Sequence, residues 1–206
     1  LYPYSSGGIN WGGVAIDPVN GMMYANQMHF ASIVQMIPRA EFDALDPPIG
    51  GYPNEFYPME GTPYGLKRFP LSSIFGAPCV PTPWGSLTAV DLKSGEVVWK
   101  RELGNTRDLA PMSLRLETGV PNTGGSVITG SGLLFIGATT DRYFRAFNAK
   151  TGEEVWRHSL PYTGNATPMS YRLSKTGKQY IVLAAGGHGW SEPGDALIAF
   201  SLPDTE

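Results

Sequence analysis

Cysteine is almost absent from this 206-residue chain. Cys79 stands alone, which excludes an internal disulfide framework and leaves the redox compartment open. No run approaches the ~18 consecutive apolar residues of a membrane-spanning helix, and no secretory leader is visible. Charge is sparse and nearly balanced, with 15 Lys and Arg against 18 Asp and Glu. There is no basic surplus to meet a phosphate backbone, which argues against nucleic acid as the partner. Only three histidines occur, His29, His158 and His188. They are scattered and the acidic residues unclustered, so no protein metal constellation is legible. A Ser/His/Asp order and a phosphate-cradling glycine loop are missing too, as is long helical periodicity.

What the chain has in quantity is glycine (26), proline (18) and apolar residues (42%). That is enough apolar surface for a core, punctuated as a turn-dense all-β protein requires. The clearest segment is Gly124 to Leu160. It parses into four short strands, Ser126–Thr129, Leu133–Ala138, Tyr143–Asn148 and Glu153–Ser159, separated by Gly130-Ser131-Gly132, Thr140-Asp141-Arg142 and Lys150-Thr151-Gly152. Val, Ile, Leu, Phe, Tyr and Trp fill the strands, as half-buried pleated surfaces prefer, and turn formers fill the gaps.

Four strands make one small twisted sheet that cannot bury both faces alone, and the unit repeats. Ala146, Asn148, Gly152 and Trp156 match Ala89, Asp91, Gly95 and Trp99, each shifted by 57 residues. Looser echoes are Gly12-Gly13 with Gly21-Met22-Met23-Tyr24, and Gly177 to Val182 followed by Ala196 to Ser201. Four strands per repeat at this period specify a β-propeller. Blade one covers residues 9–103, with strands at Val14–Asp17, Met22–Met28, Gly85–Asp91 and Glu96–Glu102. An insertion at 29–84, dense in proline, splits it between its second and third strands. The prolines argue against a regular ladder over most of that stretch, with a short helix at Pro38–Leu45 expected. Blade two covers 124–160. Blade three covers 166–202 and lacks its fourth strand. About three blades cannot close a ring of 4–8, and the chain, which starts at Leu1, reads as a fragment whose open faces should self-associate.

In a propeller the loops between second and third strands all emerge on one rim around the channel. Here they are Met28-His29-Phe30, Thr139 to Arg142, and Gly186 to Trp190, with the Asn10-Trp11 turn opening on the same side. Each residue has a plain structural alternative. Asp141 can cap its own turn, His29 can anchor the insertion, and Asn10 can tie down a loop. Trp99 and Trp156, at equivalent outer-strand positions, suit packing between blades. His188 in Gly186-Gly187-His188-Gly189 is harder to explain structurally, because glycines let backbone approach a ligand and imidazole titrates near neutrality.

Taken together, Asn10-Trp11-Gly12-Gly13, the Ala-x-Asp-x-x-x-Gly-x-x-x-Trp repeat, Gly132 to Ala138, Asp141-x-Tyr-x-Arg-Ala-Phe-Asn and Gly177-Lys-Gln-Tyr180 resemble the pyrroloquinoline quinone (PQQ) dehydrogenases. Val34 to Pro38, Gly61 to Tyr64, Gly76 to Cys79 and Gly186 to Gly189 are similar to the membrane-bound glucose dehydrogenase branch. The resemblance implies the C-terminal part of an eight-bladed propeller and a periplasmic enzyme at the inner membrane. It implies oxidation of a sugar hydroxyl by hydride transfer to PQQ, with electrons passed to ubiquinone. It places Asn10 and Trp11 beside the cofactor, Asp141 in the cofactor pocket and His188 at the substrate end. The catalytic base and the calcium or magnesium ligands fall in blades outside this chain, so the piece alone should be inactive. Two other readings stay open: a dehydrogenase of quinate or another cyclic polyol, and a non-catalytic propeller scaffold for protein partners.

Overall fold

The computed structural model describes residues 1–5, 7–51, 53–107, 109–110, 112, 114–187 and 191–203. In chain order these form β1 (Val14–Asp17), β2 (Met22–Met28), β3 (Ser32–Pro38), α1 (Arg39–Leu45), β4 (Glu55–Tyr57), β5 (Tyr64–Pro70), β6 (Gly85–Asp91), β7 (Val97–Glu102), β8 (Ser126–Ile128), β9 (Leu133–Ile136), β10 (Tyr143–Asn148), β11 (Glu154–Ser159), β12 (Met169–Arg172), β13 (Gln179–Ala185) and β14 (Ala196–Phe200). The strands assort into sheets β1-β2-β6-β7, β8-β9-β10-β11, β12-β13-β14 and β3-β5-β4. Every pairing between named strands is antiparallel. The all-β partial propeller with a long insertion is therefore the fold.

The repeated motif has a local cause. In β6 and β10 the register shifts at the same place, between Ala89 and Val90 and between Ala146 and Phe147. The next residue caps the turn that follows. Asp91 Oδ1 accepts from the Lys93 and Ser94 amides at 2.7 and 3.0 Å, and Asn148 Oδ1 from those of Lys150 and Thr151 at 3.0 and 3.2 Å. Asp17 does the same for the β1–β2 turn. These side-chain-to-backbone bonds replace ladder bonds lost at the corner. They also hold the Asp91 carboxyl below its usual range, the Ser94 amide contributing most.

Blades pack sheet on sheet through two apolar layers. The first joins blades one and two around Tyr24, Leu87, Trp99, Leu134, Ile136 and Phe147. The second joins blades two and three around Phe144, Leu160, Ile181 and Leu183, with Phe200 packed against it. Trp99 fixes the first junction. Its indole N–H donates to Ala149 O at 2.9 Å, and a Cβ on Gly152 would fall 2.7 Å from the ring. Trp156, its repeat partner, instead meets Phe144 and Phe200 edge-on and stacks on His158, and it remains 38% exposed. His158, on the outer strand β11, is exposed but packed against aromatic rings.

At the inner edge the blades approach until no side chain fits. A Cβ on Gly12 would lie 2.0 Å from Gly124 C, and one on Gly124 2.3 Å from Asn165 O. Glycine there is a requirement of contact between backbones.

Over most of the described insertion no regular ladder forms, in line with its prolines; the remainder folds into sheet β3-β5-β4 with α1 laid across it, Phe42 of the helix contacting Gly65 of β5. Two prolines fit because of where they fall in the register. Ser32 donates its N–H to Leu1 O on the outer side of β3, so the pairs Ser32–Pro70 and Pro38–Tyr64 are non-hydrogen-bonded ones, where a missing N–H costs no ladder bond. Pro38 also precedes the first residue of α1, one position before the start expected for proline.

Two outcomes follow. Gly95→Ala and Gly152→Ala both force an L-residue to positive φ (75° and 70°), at roughly 1–2 kcal/mol. Gly95 faces open space whereas Gly152 faces Trp99, so the second substitution should cost on the order of 1–3 kcal/mol more, read from urea midpoints. The outer faces carry exposed Ile16, Val97, Met169 and Leu197. Sedimentation of the isolated chain should show concentration-dependent association; a monomer at every concentration contradicts this.

Candidate functional site

Three turns preceding innermost strands are built alike. Asn10, Asn122 and Asn165 each stand four residues before the start of β1, β8 and β12. The middle one shows what the position does. Asn122 Nδ2 donates to Gln27 O at 3.1 Å and Val120 O at 3.2 Å, and its Oδ1 accepts from Asn26 Nδ2 at 2.8 Å. It thereby pins blade two to β2 of blade one. Asn165 is equally buried, but neither of its side-chain polar atoms has a partner. Aligning Tyr24 of β2 with Phe135 of β9 sets Gly137 opposite Asn26, so the second junction lacks the amide that Asn122 meets. Asn10 is half-buried, its Oδ1 accepting the Trp11 amide at 2.8 Å. Trp11 itself is 63% exposed and offers a flat aromatic face.

Asp141 lies near the end of the β9–β10 loop and is fully buried. It does not cap its own turn. Its Oδ1 accepts from Thr139 Oγ1 at 2.6 Å and Arg145 Nη1 at 3.0 Å, and its Oδ2 from the Asn105 amide at 2.9 Å and from Arg145 Nη2. Arg145 is 1% exposed and also reaches Glu154 at 3.2 Å. The described contacts of Asp141 thus run to the blade-one-to-two connection, while the Asn10–Trp11 turn packs toward β8 through Gly12. The described contacts do not bring the two together. His188, with Gly189 and Trp190, lies outside the described residues.

His29 occupies the anchoring role weighed for it. Ser86 Oγ donates to Gln27 Oε1 at 3.3 Å, so His29 Nε2–H donates to Ser86 Oγ at 2.9 Å, and Nδ1 accepts from Tyr2 O–H at 3.2 Å. The chain of bonds ties the start of the insertion to β2, β6 and the N-terminal segment. It suits a neutral ring, and burial, followed by the Lys100 charge, holds the His29 pKa below its ordinary value.

Beside these residues opens a mostly apolar cavity of about 390 Å³, walled by Phe30, Phe75, Trp84, Leu116, Val120 and Thr140. The insertion loop and the connection before blade two form opposite sides of it. Among the described residues no three His, Cys, Asp or Glu side chains gather to hold a metal. No helix among them is long and apolar enough to cross a membrane. Neither Arg145, Asn105, the Asn122 and Asn165 positions nor this cavity was singled out from sequence, although the asparagine spacing ahead of each inner strand was there to be read.

The neutral His29 sets a pH expectation. The unfolded chain takes up a proton near pH 6.5 and the folded chain only at lower pH. Stability is therefore fully present above about 6.5 and is lost progressively as pH falls toward the folded value. Urea midpoints at about pH 7.5 and about pH 5.5 should differ less in His29→Gln than in wild type.

The comparisons with known proteins agree with this fold. The family model for the PQQ glucose/ethanol/alcohol dehydrogenase β-propeller domain matches residues 1–181. A probable quinate dehydrogenase (quinone) of Xanthomonas campestris pv. juglandis is 40% identical over 98% of this chain and 27% of its own length. A quinoprotein glucose dehydrogenase of Escherichia coli (strain K12) is 38% identical over 99% of this chain and 27% of its own. A glycerol dehydrogenase large subunit of Gluconobacter thailandicus is 39% identical over 98% and 30%. The chain therefore spans about a quarter of the length of the relatives it matches. A europium-containing methanol dehydrogenase superposes with a TM-score of 0.60 at 22% identity, covering 92% of this chain and 27% of that one, which speaks for the fold alone. Matched by the family model through residue 181 and folded as successive propeller blades, the chain belongs to the PQQ glucose/ethanol/alcohol dehydrogenase β-propeller family.

Proposed function

We propose that this chain forms part of the cofactor-binding wall of a PQQ-dependent dehydrogenase that oxidises a sugar or cyclic-polyol hydroxyl and passes the electrons to ubiquinone. The single observation that carries the reading is the family match over residues 1–181. Relatives named for glucose, quinate and glycerol at similar identity support the class and do not single out one substrate. The complete protein is placed, on the same reading, at the periplasmic face of the inner membrane.

Bound PQQ supplies an electron-accepting quinone and an anionic, planar outline. The residues here fit one side of such a group. Trp11 gives an exposed flat face, and the Asn10 amide beside it suits a polar ring edge. Asp141 suits the pocket as a wall residue, since its charge is already matched by Arg145 and an unmatched carboxylate would repel an anion. His188, flanked by glycines, is assigned to the substrate end, where a neutral imidazole both donates to and accepts from hydroxyls. A calcium or magnesium ion takes its ligands, and the reaction its base, from outside this chain.

The test is dye reduction by the complete protein reconstituted with PQQ and calcium or magnesium, using glucose, quinate and glycerol in wild type and His188→Asn. PQQ-dependent turnover with at least one substrate is expected, and none with any would leave the non-catalytic scaffold. The substitution should change kcat/KM ratios among substrates, by about 1–3 kcal/mol for a lost hydrogen bond to a buried partner. One common factor for all substrates removes His188 from the substrate site.

A further inference from the structure

Asp141 has no carboxylate valence left to offer. A carboxylate presents about four lone-pair sites on two oxygens. Here four donors take them: Thr139 Oγ1 and Arg145 Nη1 on Oδ1, Arg145 Nη2 and the Asn105 amide on Oδ2. Arg145 is 1% and Asp141 0% exposed at the side chain. The guanidinium also donates from Nη1 to Thr139 Oγ1 at 2.8 Å and Tyr143 O at 3.4 Å, and from Nε to Glu154 at 3.2 Å. Glu154 is held in turn by Arg157 at 2.9 Å. The line of charges thus runs from the connection at Asn105, through the β9–β10 loop, to the outer strand β11. A buried pair is tolerated only when satisfied in this way, and removing one member leaves the other uncompensated.

The geometry also shows what the pair holds. Asn105 begins the connection whose Thr106, Leu116 and Val120 wall the cavity on one side, and Thr140 of the β9–β10 loop walls it beside them. The C-terminal end of the connection is joined to the loop by backbone bonds, Thr123 N–H to Ala138 O at 2.9 Å and Thr140 N–H to Pro121 O at 3.2 Å, and the Asp141–Asn105 bond fastens its N-terminal end. We propose, resting on the reading of this rim as part of a PQQ pocket, that Arg145 is a positioning residue: it acts through Asp141 to lock the β9–β10 loop onto the Asn105 amide, and Asp141 shapes the pocket without itself ligating cofactor or metal.

Two measurements on Asp141→Asn, Arg145→Lys and the double variant separate the possibilities. In the 206-residue chain the Asn105 amide is followed by hydrogen exchange. In the complete protein PQQ affinity is titrated. Both single variants should speed Asn105 exchange and weaken PQQ by similar factors, about tenfold to a hundredfold, with the double variant no worse than the worse single. A loss of PQQ affinity in Asp141→Asn alone, with Arg145→Lys like wild type in both readouts, makes Asp141 a direct ligand and overturns the proposal. Lowered melting temperature with unchanged PQQ affinity also overturns it, since the network is then structural only. Wild-type protein that binds no PQQ sinks the cofactor reading, whereas Asn105 exchange unmoved by Arg145→Lys sinks the latch alone. Should Arg145→Lys fail to fold, Thr139→Val removes both a donor to Asp141 Oδ1 and an acceptor of Arg145 Nη1 and should move both readouts the same way.

Discussion

The structure depends on how closely neighbouring blades approach at the channel. Gly12 lies against Gly124 and Gly125, and Gly124 against Asn165, backbone on backbone. A radial arrangement of twisted sheets must taper inward, and side chains at the apex would hold the blades apart. Once the inner edges touch, the wedge between sheets widens outward and fills with apolar side chains. Across blade one the row Ala15, Tyr24, Ala89 and Trp99 alternates small and large, and Trp99 closes the outer end over Gly152. One set of missing β-carbons thereby decides where the indole must be.

Close approach has a polar consequence. Turns brought backbone to backbone carry amide and carbonyl groups that water cannot reach, and each needs a partner. Asn122 supplies partners at the first junction, its amide serving Gln27 O and Val120 O. The connection at Asn105 is served by Asp141 instead. The second junction is less completely served, for Asn165 has the position of Asn122 without an opposing asparagine. Repetition therefore preserves the scaffold, while the polar fittings differ from one junction to the next.

This explains which features were legible in the sequence. Strand positions in the blades could be read because turn chemistry is local: Asp91, Asn148 and the glycines after them dictate a corner whatever surrounds them. In the insertion a count of prolines could not say where the short sheet would form. Pro70 and Pro38 sit at register positions where no ladder bond is due, and register is a property of two segments, not one. At the rim, composition pointed to Asp141 as a chemically interesting residue, but its partners come from 36 residues before it and 4 after it in the chain. Side-chain saturation of that kind cannot be read from a motif, since the same Asp-x-Tyr-x-Arg pattern serves equally well with an open carboxylate.

Why a buried ion pair occupies this place, when an apolar pair of similar volume is often as stable, has a physical answer in what an apolar pair cannot do. Leucine and methionine would fill the space between loop and strand, yet leave the Asn105 amide buried without an acceptor, at about 1–3 kcal/mol. A neutral asparagine at 141 would present one oxygen and one donor group, and a donor facing the Asn105 N–H repels it. Only a carboxylate accepts from both directions at once, and only a fully buried guanidinium matches its charge with parallel bonds. The pair is thus retained for direction rather than for net stability. It allows one arrangement of the connection over the loop, and that arrangement is what a rigid planar ligand at the channel would require of its wall.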